Sequence, residues 1–262
     1  YTGRDIVPNM PGMPAMPGMT MGGGHSTPWL DTLGAVGLLA WAAAMWLAVA
    51  ALAFVDRRGK RAWMYKAGLS VIVIGVIAQI GHLIEHVSQA VYWIWHPEAP
   101  AWMTPWGTGL ANGFQQVDPS RKTLGMEILH LTGNFMFLAG LAAVMVVTRR
   151  IRHTRTRRWG KMGMWMQGIH GLEHVALTAS VWLGAKQAIG LSTWFGQLTP
   201  GPGATTYRVW WHFWANVIGS FVFAVALWHL RRERGEIADS FRETPQNPPT
   251  PVDPRVPVDA LT

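Results

Sequence analysis

Residues 81–87 read Gly-His-Leu-Ile-Glu-His-Val, and residues 169–175 read Ile-His-Gly-Leu-Glu-His-Val. Both contain H-x-x-E-H-V, and both sit inside long apolar stretches. Residues 130–134 (His-Leu-Thr-Gly-Asn) and 212–216 (His-Phe-Trp-Ala-Asn) share a second pattern, H-x-x-x-N. Along the chain the two patterns alternate. One short motif recurring is weak evidence, but two different motifs recurring in matching order point to an internal duplication.

The motifs lie on candidate membrane helices. A helix needs ~20 mainly apolar residues to cross the hydrocarbon core. Five stretches meet this: 32–55, 67–96, 123–148, 162–185 and 209–230. The first and last carry no charged residue, and the others carry one each: Glu85, Glu127 and Glu173. The expectation is an all-α integral membrane protein with five transmembrane helices. Spans two to five would be a duplicated helical hairpin, with repeats at about 67–148 and 162–230, forming a four-helix bundle. Both copies run the same way, so a pseudo-twofold axis along the membrane normal is expected. Span one lies outside the repeat and is expected to pack on the periphery.

Composition agrees. Half of the 262 residues are hydrophobic and 14% are charged, against ~25% charged in soluble domains. There is no Cys, which excludes disulfides, zinc fingers and thiolate-held iron–sulfur clusters. The net charge is +8. Arg57, Arg58, Lys60, Arg61 and Lys66 join spans one and two, and Arg149 to Lys161 supply seven more cations between spans three and four. Arg231, Arg232 and Arg234 follow span five. By the positive-inside rule the N-terminus is outside and the C-terminus cytoplasmic, in a cell membrane. The basic clusters therefore read as topology signals and contacts to anionic lipid, with no nucleic acid as partner.

Residues 1–31 form an extracytoplasmic Met/Pro/Gly-rich tail, 32–235 the five-span domain and 236–262 a Pro-rich, extended cytoplasmic tail. A chain that opens on Tyr1 with an outside N-terminus fits removal of a signal peptide, and a truncated chain opens the same way. The N-terminal tail carries Met10, Met13, Met16, Met19 and Met21, then His25. Thioethers are soft ligands that suit Cu(I), so these residues are candidates for copper capture; the plainer reading is a low-complexity linker. The outer segments 97–122 and 187–208 read as long loops with interfacial Trp, able to cover a site that opens outward.

Positions i, i+3 and i+4 share a helix face. His82, Glu85 and His86 thus present together, as do His170, Glu173 and His174. His130 pairs with Asn134 and His212 with Asn216, and Glu127 stands one turn before His130. Val209 occupies the matching place in span five. Ionisable residues in a bilayer cost ~2.5–3.5 kcal/mol each on insertion scales. A cation bound between the helices would offset that sum. The candidate metal ligands are therefore His82, Glu85, His86, Glu127, His130, His170, Glu173, His174 and His212. Asn134 and Asn216 are candidates for holding ligand rings by hydrogen bonds. Counted from the outer span ends, the histidines spread over ~10–15 Å. That suits two metals or one elongated cluster, and one compact site only if the helix ends are staggered. Without metal, the same residues would act as hydrogen-bonding glue or conduct protons.

A four-helix bundle bearing Glu and Glu-x-x-His resembles the di-iron carboxylate proteins in its geometry, although here His outnumbers Glu. H-x-x-E-H is also the inverzincin peptidase pattern, but a peptidase needs one such helix and a water-filled cleft. The H-x-x-H-H clusters of membrane desaturases are absent. Paired His on spans two and four, and on three and five, is similar to two-haem transmembrane cytochromes, and Gly81, Gly133, Gly168 and Gly171 would let a porphyrin approach. Haem b is the alternative cofactor, although it needs one His per helix. The first expectation is one or two copper or iron ions in a metal-dependent membrane oxidoreductase. The others are a copper-handling carrier, a haem b electron-transfer protein and an auxiliary subunit of a larger membrane complex.

Overall fold

The structure, a computed structural model, describes residues 28–59, 61–97, 102–121, 123–193, 197–198 and 202–242. Among these it contains helices α1 (Pro28–Arg58), α2 (Trp63–Trp95), α3 (Pro105–Gln115), α4 (Leu124–Val147), α5 (Arg155–Trp182), α6 (Pro202–Arg232) and α7 (Arg234–Asp239), with no strand. The described residues are thus all-helical, as the sequence predicts. Met10, Met13, Met16, Met19, Met21 and His25 lie outside the described residues, as does the tail from 243.

Among the described residues, four helices are long and apolar enough to cross a membrane: α1, α2, α4 and Thr206–Arg232 of α6. Their outward faces suit lipid. Leu33, Val36, Leu39 and Leu47 of α1 stand exposed, as do Val73, Ile77, Ile80 and Ile84 of α2. Helix α5 has comparable length, 28 residues, but it is not among the four. Arg155, Arg157, Arg158 and Lys161 fill its first turns, and Gln167, His170, Glu173 and His174 follow.

Helices α2, α4, α5 and α6 close a ring, each packing on two of the others: α2 on α4 and α6, α5 on α4 and α6. Helix α1 packs outside this ring, mainly against α3 and α4. Lipid gives helices no hydrophobic reason to associate, so close approach and polar contacts must hold them. Close approach is sharpest where α2 crosses α4. A Cβ on Gly75 would lie 2.7 Å from the Gly140 Cα, a contact no side chain tolerates. Around and beyond this crossing, Met64 and Ile72 of α2, Phe137, Leu141 and Val144 of α4, and Phe223 of α6 form an apolar core.

The basic end is tied by ion pairs and caps. Buried Asp56, near the end of α1, meets Arg150 at 2.8 Å and Arg149 at 3.2 Å, both just past α4. Glu233, just past α6, accepts from the backbone N–H of Arg155 (3.0 Å) and Thr156 (3.1 Å) and from the Thr156 hydroxyl (2.7 Å). Those amides are orphan donors of the first turn of α5, so Glu233 caps a helix from a distant part of the chain.

Two segments differ from expectation. The stretch 97–122, read as a loop, contains α3. Thr104 caps it by accepting from Gly107 N–H, and Pro105 stands at its first position, a favoured start. The tail read as extended from 236 begins with α7, because Ile237 and Phe241 lie one turn apart and bury themselves in the apolar core.

Candidate metal centre

Six histidines converge in the half of the ring away from the basic end. His82 and His86 come from α2, His130 from α4, His170 and His174 from α5, and His212 from α6. All are at least nine-tenths buried. They divide into two triads, His82–His86–His130 and His170–His174–His212. In each triad one ring nitrogen from every member lies within 4.8 Å of the others.

The nitrogen geometry suits a shared cation. The Nε2 atoms of His82 and His86 are 2.9 Å apart, and those of His170 and His174 are 3.2 Å apart. Two nitrogens at such separations, each ~2.0–2.1 Å from one ion, subtend about 90–105° at it. His130 donates Nδ1–H to the Met126 carbonyl, and His212 donates Nδ1–H to the Arg208 carbonyl, each at 2.8 Å. A neutral ring held this way directs its other nitrogen, with a lone pair, away from the backbone. His86 Nδ1 donates to Gln89 Oε1 at 3.1 Å, and Gln89 in turn donates to Glu85 at 3.3 Å. The Nδ1 atoms of His82, His170 and His174 have no hydrogen-bond partner among the described residues.

The triads are neighbours, not separate sites. His86 stacks on His212 at 5.6 Å between ring centroids, and His130 stacks on His174 at 5.6 Å. The histidines are therefore one compact cluster. The spread expected from span ends does not arise, because the helix starts are staggered: α6 begins at Pro202, well before residue 209.

The three glutamates flank the triads. Glu85 accepts from Thr104 N–H at 3.0 Å and from the Thr104 hydroxyl. Glu173 accepts from Ser192 N–H at 2.9 Å, from the Ser192 hydroxyl and from Leu191 N–H. In both cases the partner lies 19 residues downstream. Each carboxylate is seated against a glycine: a Cβ on Gly107 would lie 2.8 Å from Glu85, and one on Gly190 would lie 2.7 Å from Glu173. The spacing places Glu about 60° round the axis from the first His and about 100° from the second, so it faces the loop instead of the triad. Glu127 pairs with Arg208 at 2.9 Å, with side-chain exposures of 1% and 25%.

Asn134 and Asn216 bond to backbone and amide groups. Each donates at 2.9 Å to the backbone carbonyl of the His one turn earlier, His130 or His212. Their side-chain oxygens accept from glutamines on other helices, Asn134 from Gln167 and Asn216 from Gln79 (3.3 Å). Gln79 also donates to Ser220 at 2.8 Å. Neither Gln nor Arg208 was singled out by the sequence motifs. The signal was present: each Gln stands three residues before the first His, so the motif is Q-x-x-H-x-x-E-H-V in both places.

A cavity of about 120 Å³ opens beside the cluster, lined by His86, His130, His174, His212, Glu127 and Arg208 among others.

Residues 19–255 match the family described as Family of unknown function (DUF6008), and the chain belongs to it. No curated protein matches the chain, and no solved structure does.

Proposed function

We propose that this member of the DUF6008 family is a membrane oxidoreductase that holds two copper ions, one in each histidine triad. The observation that carries this reading is the pair of three-imidazole clusters with Nε2 atoms 2.9 and 3.2 Å apart. Imidazole suits copper, zinc and iron alike. With all three carboxylates engaged elsewhere, the donor set is nitrogen only, which favours copper over iron. Zinc fits the donors but supplies no redox chemistry. Two adjacent coppers would supply two one-electron steps side by side. The chain's own residues bind and orient. His130 and His212 are fixed by backbone carbonyls and His86 by Gln89, while Glu85 and Glu173 clamp the segments that follow α2 and α5.

Ring-against-ring packing supports ions over haem b, since the remaining space is far smaller than a porphyrin. An oxidoreductase is favoured over a carrier because the apolar core of Phe137, Leu141, Val144 and Phe223 closes the bundle between the cluster and the basic end. We assign five spans, with α5 as the fourth, the N-terminus outside and the C-terminus cytoplasmic. The Asp56 and Glu233 contacts support this by gathering the basic connections at one end. The duplicated hairpin is supported by the matched glutamate clamps and the reciprocal Gln–Asn bonds.

The test is metal content and the absorption spectrum of the full chain, purified in detergent without chelators. About two copper ions per chain and no Soret band are expected, with both ions lost in His86→Ala/His174→Ala. A Soret band would replace copper with haem. Stoichiometric iron would restore the di-iron reading. Neither metal nor haem would leave a hydrogen-bonded bundle and an auxiliary role.

A further inference from the structure

The Glu127–Arg208 pair is not explained by metal binding. It breaks the internal symmetry of the site. Glu127 precedes His130 by three residues, where Val209 precedes His212; Arg208 precedes His212 by four, where Met126 precedes His130. The ligands recur in both halves, but this acid and this base each occur once. Both line the cavity beside His86, His130, His174 and His212. Glu127 is buried, and Arg208 is the more exposed partner. Among the described residues, the hydrogen bond of the Arg208 side chain is the one to Glu127, which uses one of its five N–H donors.

We propose that this cavity is the binding pocket for a small inorganic anion of two to four heavy atoms, admitted from the outer side, which meets both triads while Arg208 neutralises its charge. This rests on the copper reading above and names the class of ligand that site takes. Size supports it. The cavity measures about 120 Å³, below the ~150 Å³ of an engineered cavity that takes up benzene. Charge supports it as well. Glu127 holds the guanidinium in place and competes with the anion for it. Weakening that competition should strengthen binding, whereas removing the guanidinium should weaken it.

The probe is azide, titrated into the copper-loaded full chain and followed by visible absorption. Saturable binding is expected. Arg208→Gln should weaken it about tenfold, Glu127→Gln should tighten it about three- to tenfold, and Arg208→Lys should stay within about threefold of wild type. Copper content and thermal melting of each variant show that the site is intact. Nitrite should compete with azide, whereas benzoate, of the same charge but too large, should not. Full copper without azide binding would overturn the pocket and leave the metal reading standing. Equal azide affinity in all variants would overturn the role of the pair, and competition by benzoate would overturn the size limit. A chain that takes up no copper would overturn the metal reading and this inference together.

Discussion

The His82–His86–His130 triad and the His170–His174–His212 triad agree at their ligands and differ just outside them. Both use two histidines one turn apart on one helix and a third from the next helix of the ring. Both third histidines give Nδ1–H to a carbonyl at 2.8 Å. Both carry a glutamate clamped by a hydroxyl residue 19 positions on. Yet His86 has Gln89 behind it, while Leu177 stands at the same place behind His174, whose Nδ1 has no hydrogen-bond partner among the described residues. Shared features mark what any such site needs, and unshared ones mark where the two halves take different roles. The first triad should hold its ion more tightly.

The comparison breaks most directly at the ligands. His130→Ala should remove one of about two coppers and leave the other, read by metal analysis. If both ions leave together, the triads form one indivisible site and not two neighbours. Next in size are the clamps. Glu85→Ala and Glu173→Ala each strand buried donors, with an expected loss of about 2–4 kcal/mol in detergent unfolding. Similar losses at both would sharpen the equivalence, and a loss at one alone would show that the other loop is held by different contacts. Gln89→Leu makes the first triad resemble the second. It should weaken copper there about tenfold, so that two unequal affinities in a competition titration merge into one.

The smallest effect lies at the basic end, at Glu233. Burial pushes its carboxyl up, but the Thr156 hydroxyl, then the backbone N–H groups of Thr156 and Arg155, outweigh this and hold it below the ordinary glutamate range. A carboxyl depressed on folding contributes stability above its unfolded value, ~4.3, and that contribution is lost as pH falls through the folded value. Glu233→Gln should therefore cost about 1 kcal/mol at neutral pH. The gap from wild type should close on the acid side of that range. A gap independent of pH would mean that the carboxylate charge plays no part in the cap.

Much of this was legible in the sequence, because helical spacing and bilayer cost act locally. H-x-x-E-H in an apolar stretch is enough to place both histidines on an inward face. The glutamates were harder. Sharing a face within half a turn is not sharing a target, and Glu85 and Glu173 turn toward Thr104 and Ser192. Nothing local announces a partner 19 residues away. Helix α3 was hidden in a Gly- and Pro-rich stretch, although Thr104-Pro105 is a recognisable start. Arg208 was read as a loop cation because α6 begins earlier than its apolar run. Gln79 and Gln167 are inconspicuous in the sequence, because a neutral amide does not stand out beside charged neighbours.

The crossing of Gly75 and Gly140 acts on the site from a distance. Two helices touching backbone to backbone at one point behave as rods joined by a pin. His82 and His86 ride ~10–16 Å along one rod from that pin and His130 ~15 Å along the other, at 1.5 Å per residue. On arms of that length, a tilt of three degrees moves a ring by roughly 0.8 Å, several times the ~0.2 Å tolerance of a metal–nitrogen bond. The bite of the first triad is therefore set by two hydrogen atoms at the pin, where any larger side chain would open the jaws.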